Sequence, residues 1–451
     1  MNMKKFTFTL VFLVGSVWRL IAQDTIPLSF QEAVKIGLSQ NIDYQKLLNQ
    51  QEVLRMERLN AQFNHLPRFN LANDAFRQIG QQFQQVEGEL IVTNQVNNII
   101  TGRINANMPI FNGLRRTNNT QAGKSFEDAG KNGIERAKQE VMFNIAQQYL
   151  QVLLDEELYK ISMENLENQK RQLEQIDGFV EAGLRTLSDL YNQKSEVARL
   201  EVVALNAKIQ WETDLWTLAE ILQLGPNVLP KPESIDLERK ESEWLNLPLE
   251  ELYLTASSER KDLRQIQQLE NANKKMLAAA KASYMPQLNA FFNYNTFFTT
   301  LDERTFSNQF FTIFPQRSFG FSLTVPIFNN FENRAFVTRS KMEFYNQQLD
   351  KTALERRINQ EVKLAYENFK AAIKREEATQ VQLAAAKEAQ LAISERFRLG
   401  VSNFVDLAQA NQQLFTAQSD YAQAQFSLFF QEVILRYALG VLEVQISNES
   451  L

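Results

Sequence analysis

The chain has 451 residues, 44% of them hydrophobic and 22% charged, a balance that fits a large folded protein and excludes a disordered one. Its formal net charge of −5 excludes the basic field of a nucleic-acid binder. The absence of cysteine excludes disulfides, thiolate chemistry and lipidation at cysteine, and a single histidine, His65, leaves no basis for a histidine-based metal or triad site.

The chain opens with an export-signal pattern over residues 1–22. Lys4 and Lys5 form a positive start, Phe6 to Val17 is mostly apolar, and Ala22 is a small residue at the expected cleavage point. Its removal takes away Lys4, Lys5 and Arg19 and no acid, so the mature charge becomes −5 − 3 = −8. A helical pattern follows over 30–64, where Glu32 stands three residues after Ser29 as in a capping box, and ends before Pro67. Strands are expected at about 68–83 and 102–111, joined by a loop at 84–101. In the second of these, Ile104, Ala106, Met108 and Ile110 alternate with Arg103, Asn105 and Asn107. Residues 114–224 then read as a long helical hairpin.

Residues 225–249 hold Pro226, Pro230, Pro232 and Pro248 and break the pattern. After this linker the same plan returns. A helix is expected over 250–283, strands at about 287–298 and 318–328, and a helical hairpin over 330–439, with a tail at 443–451. In the last strand Phe319, Phe321, Leu323, Val325 and Ile327 alternate with small or polar residues. Residues 330–396 contain neither proline nor glycine. Leu354, Ile358, Val362, Ala365, Phe369 and Ala372 form one apolar stripe there, the mark of coiled-coil-like packing. Phe297, Phe298, Phe306, Phe310, Phe311 and Phe314 cluster at the 299–317 loop, either as a girdle at a membrane interface or as packing over a barrel mouth.

The repetition is the most informative feature. Pro67 and Pro286 lie 219 residues apart in similar hexapeptides, and the two Pro-Ile-Phe-Asn motifs at Pro109 and Pro326 lie 217 apart. Gly183-Leu-Arg-Thr-Leu-Ser-Asp-Leu190 matches Gly400-Val-Ser-Asn-Phe-Val-Asp-Leu407, again 217 apart, and Leu224-Gly225 matches Leu439-Gly440. The first unit is therefore 23–224 and the second 250–442. The alternating stretch of each expected strand, 68–77 in the first, is about 10 residues, enough to cross a bilayer when tilted. Four strands cannot close a barrel alone, because open edges in lipid leave backbone groups unpaired, so several chains would have to share one.

The doubled layout, the Pro-Ile-Phe-Asn motifs, the Gly-x-x-[Thr/Asn]-x-x-Asp-Leu turns and the opening Leu28-Ser-Phe-Gln-Glu-Ala33 resemble the TolC-like outer membrane efflux protein family over about residues 28–442. The resemblance implies a mostly α chain with a membrane β-barrel, in a homotrimer with a 12-stranded barrel in the outer membrane and a coiled-coil tube in the periplasm. It implies an exit duct of a tripartite efflux pump or a type I secretion system, docked on a periplasmic adaptor and coupled to an inner-membrane transporter. The lipid-facing set becomes Ile104, Met108, Ile110, Phe319, Phe321, Leu323 and Val325. The adaptor-docking turns become Gly183, Leu184, Arg185, Thr186 and Gly400, Val401, Ser402, Asn403. The periplasmic gate becomes Asp406, Gln409, Asp189, Ser188, Phe397 and Ser402.

Asp406 matches a carboxylate that rings the closed aperture. Gln409 stands where a second carboxylate is expected, Phe397 where a tyrosine is, and Ser402 where an arginine is, so the latch differs and Arg185 or Arg398 is the nearest substitute. The sequence carries no phosphate loop, Gly-x-Ser-x-Gly or His-Glu-x-x-His motif, so neither an enzyme nor a cofactor is expected. The alternative reading is a soluble periplasmic coiled-coil scaffold or adaptor, which accounts for the helices but not for the strand pairs.

Overall fold

A computed structural model of the chain describes residues 24–86, 89–235, 244 and 247–443. The expected signal segment 1–22, part of the 225–249 linker and the tail beyond 443 lie outside the described residues. The first half runs β1 (Asp24–Leu28), α1 (Phe30–Gln40), α2 (Ile42–Phe63), β2 (Arg68–Val86), β3 (Glu89–Phe111), α3 (Arg115–Glu181) and α4 (Leu187–Ile221). After β4 (Val228–Pro232) the second half runs α5 (Leu249–Glu259), α6 (Lys261–Lys281), β5 (Gln287–Thr299), β6 (Gln316–Thr324), α7 (Glu332–Arg398) and α8 (Phe404–Leu439). The halves follow one order, and both α3 and α7 have 67 residues. At ~1.5 Å per residue each long helix extends about 100 Å.

The expected single helices at 30–64 and 250–283 are each two helices in the structure. Asn41 breaks the first: its N–H closes α1 on the Gly37 carbonyl, and its side chain accepts from Tyr44 N at 2.8 Å to start α2. Arg260 holds the matching break with a similar extended backbone (φ −62°, ψ 118°). Both long helices start after two successive left-handed residues: Gly113 and Leu114 in one half, Asn330 and Phe331 in the other. A side chain at Gly113 would place its Cβ 2.7 Å from Cβ of Met285, so glycine is required by space as well as by φ.

The four long strands form one antiparallel sheet in the order β2-β3-β5-β6. The expected loop at 84–101 is mostly strand, since β2 reaches Val86 and β3 begins at Glu89. The outer part of this hairpin carries polar residues at both parities, so the alternation that marks a half-buried strand is missing there. β6 is shorter than the expected 318–328, because Pro326 cannot donate to a ladder.

Packing concentrates around the middle of the helices. One core joins Leu28, Val34, Ile145, Tyr149 and Leu218; the other joins Leu252, Ile358, Val362, Phe369 and Leu435. The parallel pair β1–β4 lies against the first core, and the Tyr149 hydroxyl faces the Leu28 and Glu233 carbonyls, each at 2.9 Å. A buried ionic junction ties the two halves at the same level. Arg260, 2% exposed, binds Asp262 at 2.5 Å, Glu361 at 2.6 Å and the Ala438 carbonyl at 3.2 Å. From the first half, Arg136 stacks on Tyr437 at 3.8 Å, and the Gln139 amide donates to the Gly440 carbonyl at 2.7 Å. The carbonyls that end α8 are thus satisfied from two distant segments.

Candidate functional site: the two-faced sheet and the helical tip

In the sheet, strand register turns one-dimensional alternation into two faces. Phe69, Ala106, Phe292 and Phe319 pair across all four strands, and Leu71, Ile104, Tyr294 and Arg317 form the next row, with the Arg317 guanidinium over the Tyr294 ring at 6.0 Å. The opposite face pairs Asn70, Asn105, Asn293 and Ser318. Arg103 and Asp74 form an ion pair on this polar face, where Thr101 also donates to Asp74 at 3.3 Å. The apolar face is bare: Phe319 is 83% exposed and Phe321 73%.

Of the residues expected to face lipid, Ile104, Met108, Phe319, Phe321 and Leu323 lie on this apolar face. Ile110 sits instead in a register shift between Pro109 and Phe111, and Phe111 takes its place opposite Leu288. Val325 is exposed just beyond the end of β6.

At the far end of the helices the two turns are built alike. Gly183 (φ +72°) and Gly400 (φ +80°) end the long helices in left-handed conformation. Leu184 N donates to Phe179 O, and Val401 N to Arg396 O, each at 2.8 Å, as in a Schellman stop. Thr186 and Asn403 then cap the returning helices. The two aspartates differ in what remains free. The Asp189 carboxylate accepts from Thr186 N at 3.3 Å and Thr186 Oγ1 at 2.9 Å, closing a capping box. Only the backbone N–H of Asp406 is engaged, by Asn403 Oδ1 at 2.9 Å. Among the described residues its exposed carboxylate makes no hydrogen bond or ion pair, and Gln409 and Ser188 are also exposed.

Phe397 is not at the surface. It is 4% exposed in a cluster with Ile176 and Leu190 of the first hairpin and Leu407 of the second. The Arg185 guanidinium lies over its ring at 4.0 Å and donates to its carbonyl, so a cation–π contact and a hydrogen bond join the two turns. Arg398 does not bridge; it pairs with Glu395 of its own helix at 2.6 Å. Ser402 is buried, and its Oγ has no hydrogen-bond partner among the described residues. Higher up, Asn411 donates to Gln172 at 3.0 Å and accepts from Gln390 at 2.9 Å, adding a second tie between the hairpins.

A feature that the sequence pattern does not reveal lies midway along the first hairpin. Asp155 and Asp214 form a carboxyl pair, with Gln151 donating to Asp155 at 3.1 Å and Gln148 and Gln210 donating to Asp214 at 2.9 and 2.7 Å. Burial, then the neighbouring Asp214, push Asp155 up to about 7. Burial works against Asp214, but donation from Asp155, Gln148 and Gln210 holds it below the usual carboxylate range. A carboxyl raised in the folded state contributes stability at low pH that is lost as pH rises. The loss runs at about 1.4 kcal/mol per pH unit between roughly pH 4 and pH 7, and levels off above. Asp155→Asn keeps a donor toward Asp214 without a titrating proton. Thermal unfolding followed by helix dichroism should therefore show the variant gaining on the parent across that window and exceeding it at pH 8. Parallel pH profiles would remove the shared proton.

Among the described residues no group of acids or His65 is arranged to hold a metal ion, and no helix is long and apolar enough to cross a membrane. What the fold offers instead is a sheet with one apolar and one polar face, continued by two long helical hairpins. These features define a chain of the barrel-and-helical-tube class.

The family model of outer membrane efflux proteins matches the chain twice, over residues 38–223 and 252–441. The outer membrane protein TolC of Salmonella enteritidis is 21% identical over 328 residues, which cover 68% of this chain and 62% of that protein. The match thus spans less than two thirds of that relative's length. The outer membrane protein VceC of Vibrio cholerae superposes with a TM-score of 0.78 at 15% identity, covering 91% of this chain and 96% of that one. The CmeC outer membrane channel of Campylobacter jejuni superposes with a TM-score of 0.78 at 16% identity, covering 91% and 85%. The chain belongs to the outer membrane efflux protein family. Its place is the outer membrane, with the helices in the periplasm, and the family is one of channels rather than enzymes.

Proposed function

We propose that three copies of the chain close one barrel in the outer membrane and continue it as a helical tube, forming the passive exit duct of a tripartite efflux pump or a type I secretion system. The observation that carries this reading is the two-faced sheet with both edge strands, β2 and β6, open. Joined edge to edge, three four-stranded sheets give twelve strands, within the range of closed membrane barrels. The apolar face then meets lipid and the asparagine-rich face lines the lumen. The edges cannot stay unpaired in a bilayer, so one copy is insufficient.

The helices support the same assembly. On α4, Val202, Leu205, Ile209 and Trp216 are exposed at steps of three, four and seven, a seam without a partner in the single chain. The tip turns then meet a periplasmic adaptor coupled to an inner-membrane transporter, and the three free Asp406 carboxylates ring the aperture. Crowded like charges of this kind favour cations and oppose anions.

The deciding experiment expresses the chain in a Gram-negative host, washes the membranes with carbonate and crosslinks the residue. Retention in the outer membrane with a crosslinked ladder ending at three chains is the expected result. Release by the wash as single chains would end the reading.

A further inference from the structure

On the apolar face the rows change character at one level. On β6 the change comes at Arg317, which pairs with Tyr294 and lies over its ring; above Leu71, Ile104 and Tyr294 the next row is Asn73, Gly102 and Thr296, and β6 does not reach it. From Leu288 to Tyr294 the face of β5 climbs only about 15 Å at the usual 35–45° tilt, against an apolar band of about 25 Å in membrane barrels. At the lower end Val325, Ile327 and Phe328 prolong the band, all of them exposed. At the upper end the strands supply nothing comparable.

The β5–β6 connection lies over that polar row. Its π-helical turn, Asn308–Ile313, is drawn onto the outer face: Thr296 Oγ1 donates to the Phe310 carbonyl at 2.5 Å, and the Phe310 ring occupies the space above Gly102. A Cβ at Gly102 would stand 2.6 Å from Cζ of Phe310, so the absent side chain makes the seat. The turn is held in this place from within. Gln309 is fully buried; it accepts from Thr299 N at 3.0 Å and its amide nitrogen faces the Asp302 and Arg304 carbonyls at 3.0 and 2.7 Å.

Phe306 stacks on Phe310 at 4.9 Å and meets Phe298 edge-on at 5.3 Å. The result is a fixed aromatic patch in which Phe311 is 64% exposed, with Phe306 and Ile313 also exposed. A contiguous rigid apolar patch of this kind marks an interaction site rather than a solvated loop. It is continuous with the bare face below it, which selects membrane lipid as its partner.

We infer that the β5–β6 connection is a membrane anchor. It folds outward over the Asn73–Gly102–Thr296 row and presents Phe306, Phe311 and Ile313 to lipid at the outer edge of the bilayer, fixing how deeply the barrel sits. This rests on the barrel reading above. The first half has no counterpart, since its strands run on past this level as the long β2–β3 hairpin. Phe314, by contrast, stacks on Phe297 at 4.1 Å, and Phe297 belongs to the polar face.

Three single-tryptophan additions separate the cases in full-length protein reconstituted into phosphatidylcholine–phosphatidylglycerol vesicles with brominated acyl chains. The native tryptophans are common to all and are subtracted. Phe311→Trp should lose most of its added emission, as should Phe321→Trp on the sheet itself, while Phe314→Trp should keep it. If Phe321→Trp is quenched but Phe311→Trp keeps its emission and is instead quenched by aqueous iodide, the anchor is wrong and the barrel stands. If Phe321→Trp is also unquenched, both readings fall.

Discussion

Replacing Arg260 by alanine is expected to destabilise the chain by about 3–5 kcal/mol, the cost of breaking a buried ion pair by removing one partner. The guanidinium serves three groups at once, Asp262, Glu361 and the Ala438 carbonyl, while Arg136 stands 3.8 Å from the shared Asp262. Its loss leaves Asp262 beside Arg136 alone and frees the end of α8. Burial alone would raise Asp262, but the contact with Arg260 outweighs it and holds the carboxyl below its ordinary range. A depressed carboxyl contributes stability above its unfolded pKa and loses it as pH falls, here below about pH 4. The parent should therefore lose part of its advantage over Arg260→Ala in acid. Chemical denaturation at pH 7 and at low pH measures both effects, and a loss under about 1 kcal/mol at pH 7 would show the junction to be energetically idle. Gly440→Ala should weaken the same junction, since its Cβ would stand 3.0 Å from Cα of Arg260 at a φ of +78°.

The second large effect is expected at the tip. Arg185→Ala removes both the stack on Phe397 and the donation to its carbonyl, the contacts by which the first turn holds the second. In planar bilayers the variant should conduct several-fold more than the parent. Arg185→Lys, a point charge without the planar guanidinium, should recover only part of the closure. Asp406→Ala should act differently, abolishing block by divalent cations more than it raises conductance, because its carboxylate makes no contact that holds the turn. Parent-like conductance in both Arg185 variants would remove Arg185 from the closure, and parent-like conductance together with parent-like cation block in Asp406→Ala would remove Asp406.

Much of this architecture is legible in the sequence because its elements carry local signals. The turns at Gly183 and Gly400 announce themselves through a left-handed stop and a capped restart. The stripe from Ile358 to Ala372 announces a long helix, and the alternation around Phe321 a two-faced strand. The breaks at Asn41 and Arg260 are not legible, because neither glycine nor proline is needed for an extended residue between two helices. The outer β2–β3 hairpin escapes for a related reason: it carries polar residues at both parities and so does not alternate. The bridge from Arg185 to Phe397 spans 212 positions. It depends on how the two hairpins lie together, which no local pattern encodes, although the lack of a tyrosine at Phe397 already required a different tie. Asp155 reads as one more acid on a polar helix; only the arrival of Asp214 from the neighbouring helix makes it unusual.

The equal span of α3 and α7 constrains what this molecule can become. Both hairpins start from the same sheet and end at the same level, so the proposed ring of them would present a level rim. Seven residues removed from α3 alone would leave a step of about 10 Å between neighbouring turns, too large for one flat partner to touch both. Changes of length are therefore tolerable only as matched pairs, and the two halves of the chain, though free to diverge in sequence, are bound to keep one common measure.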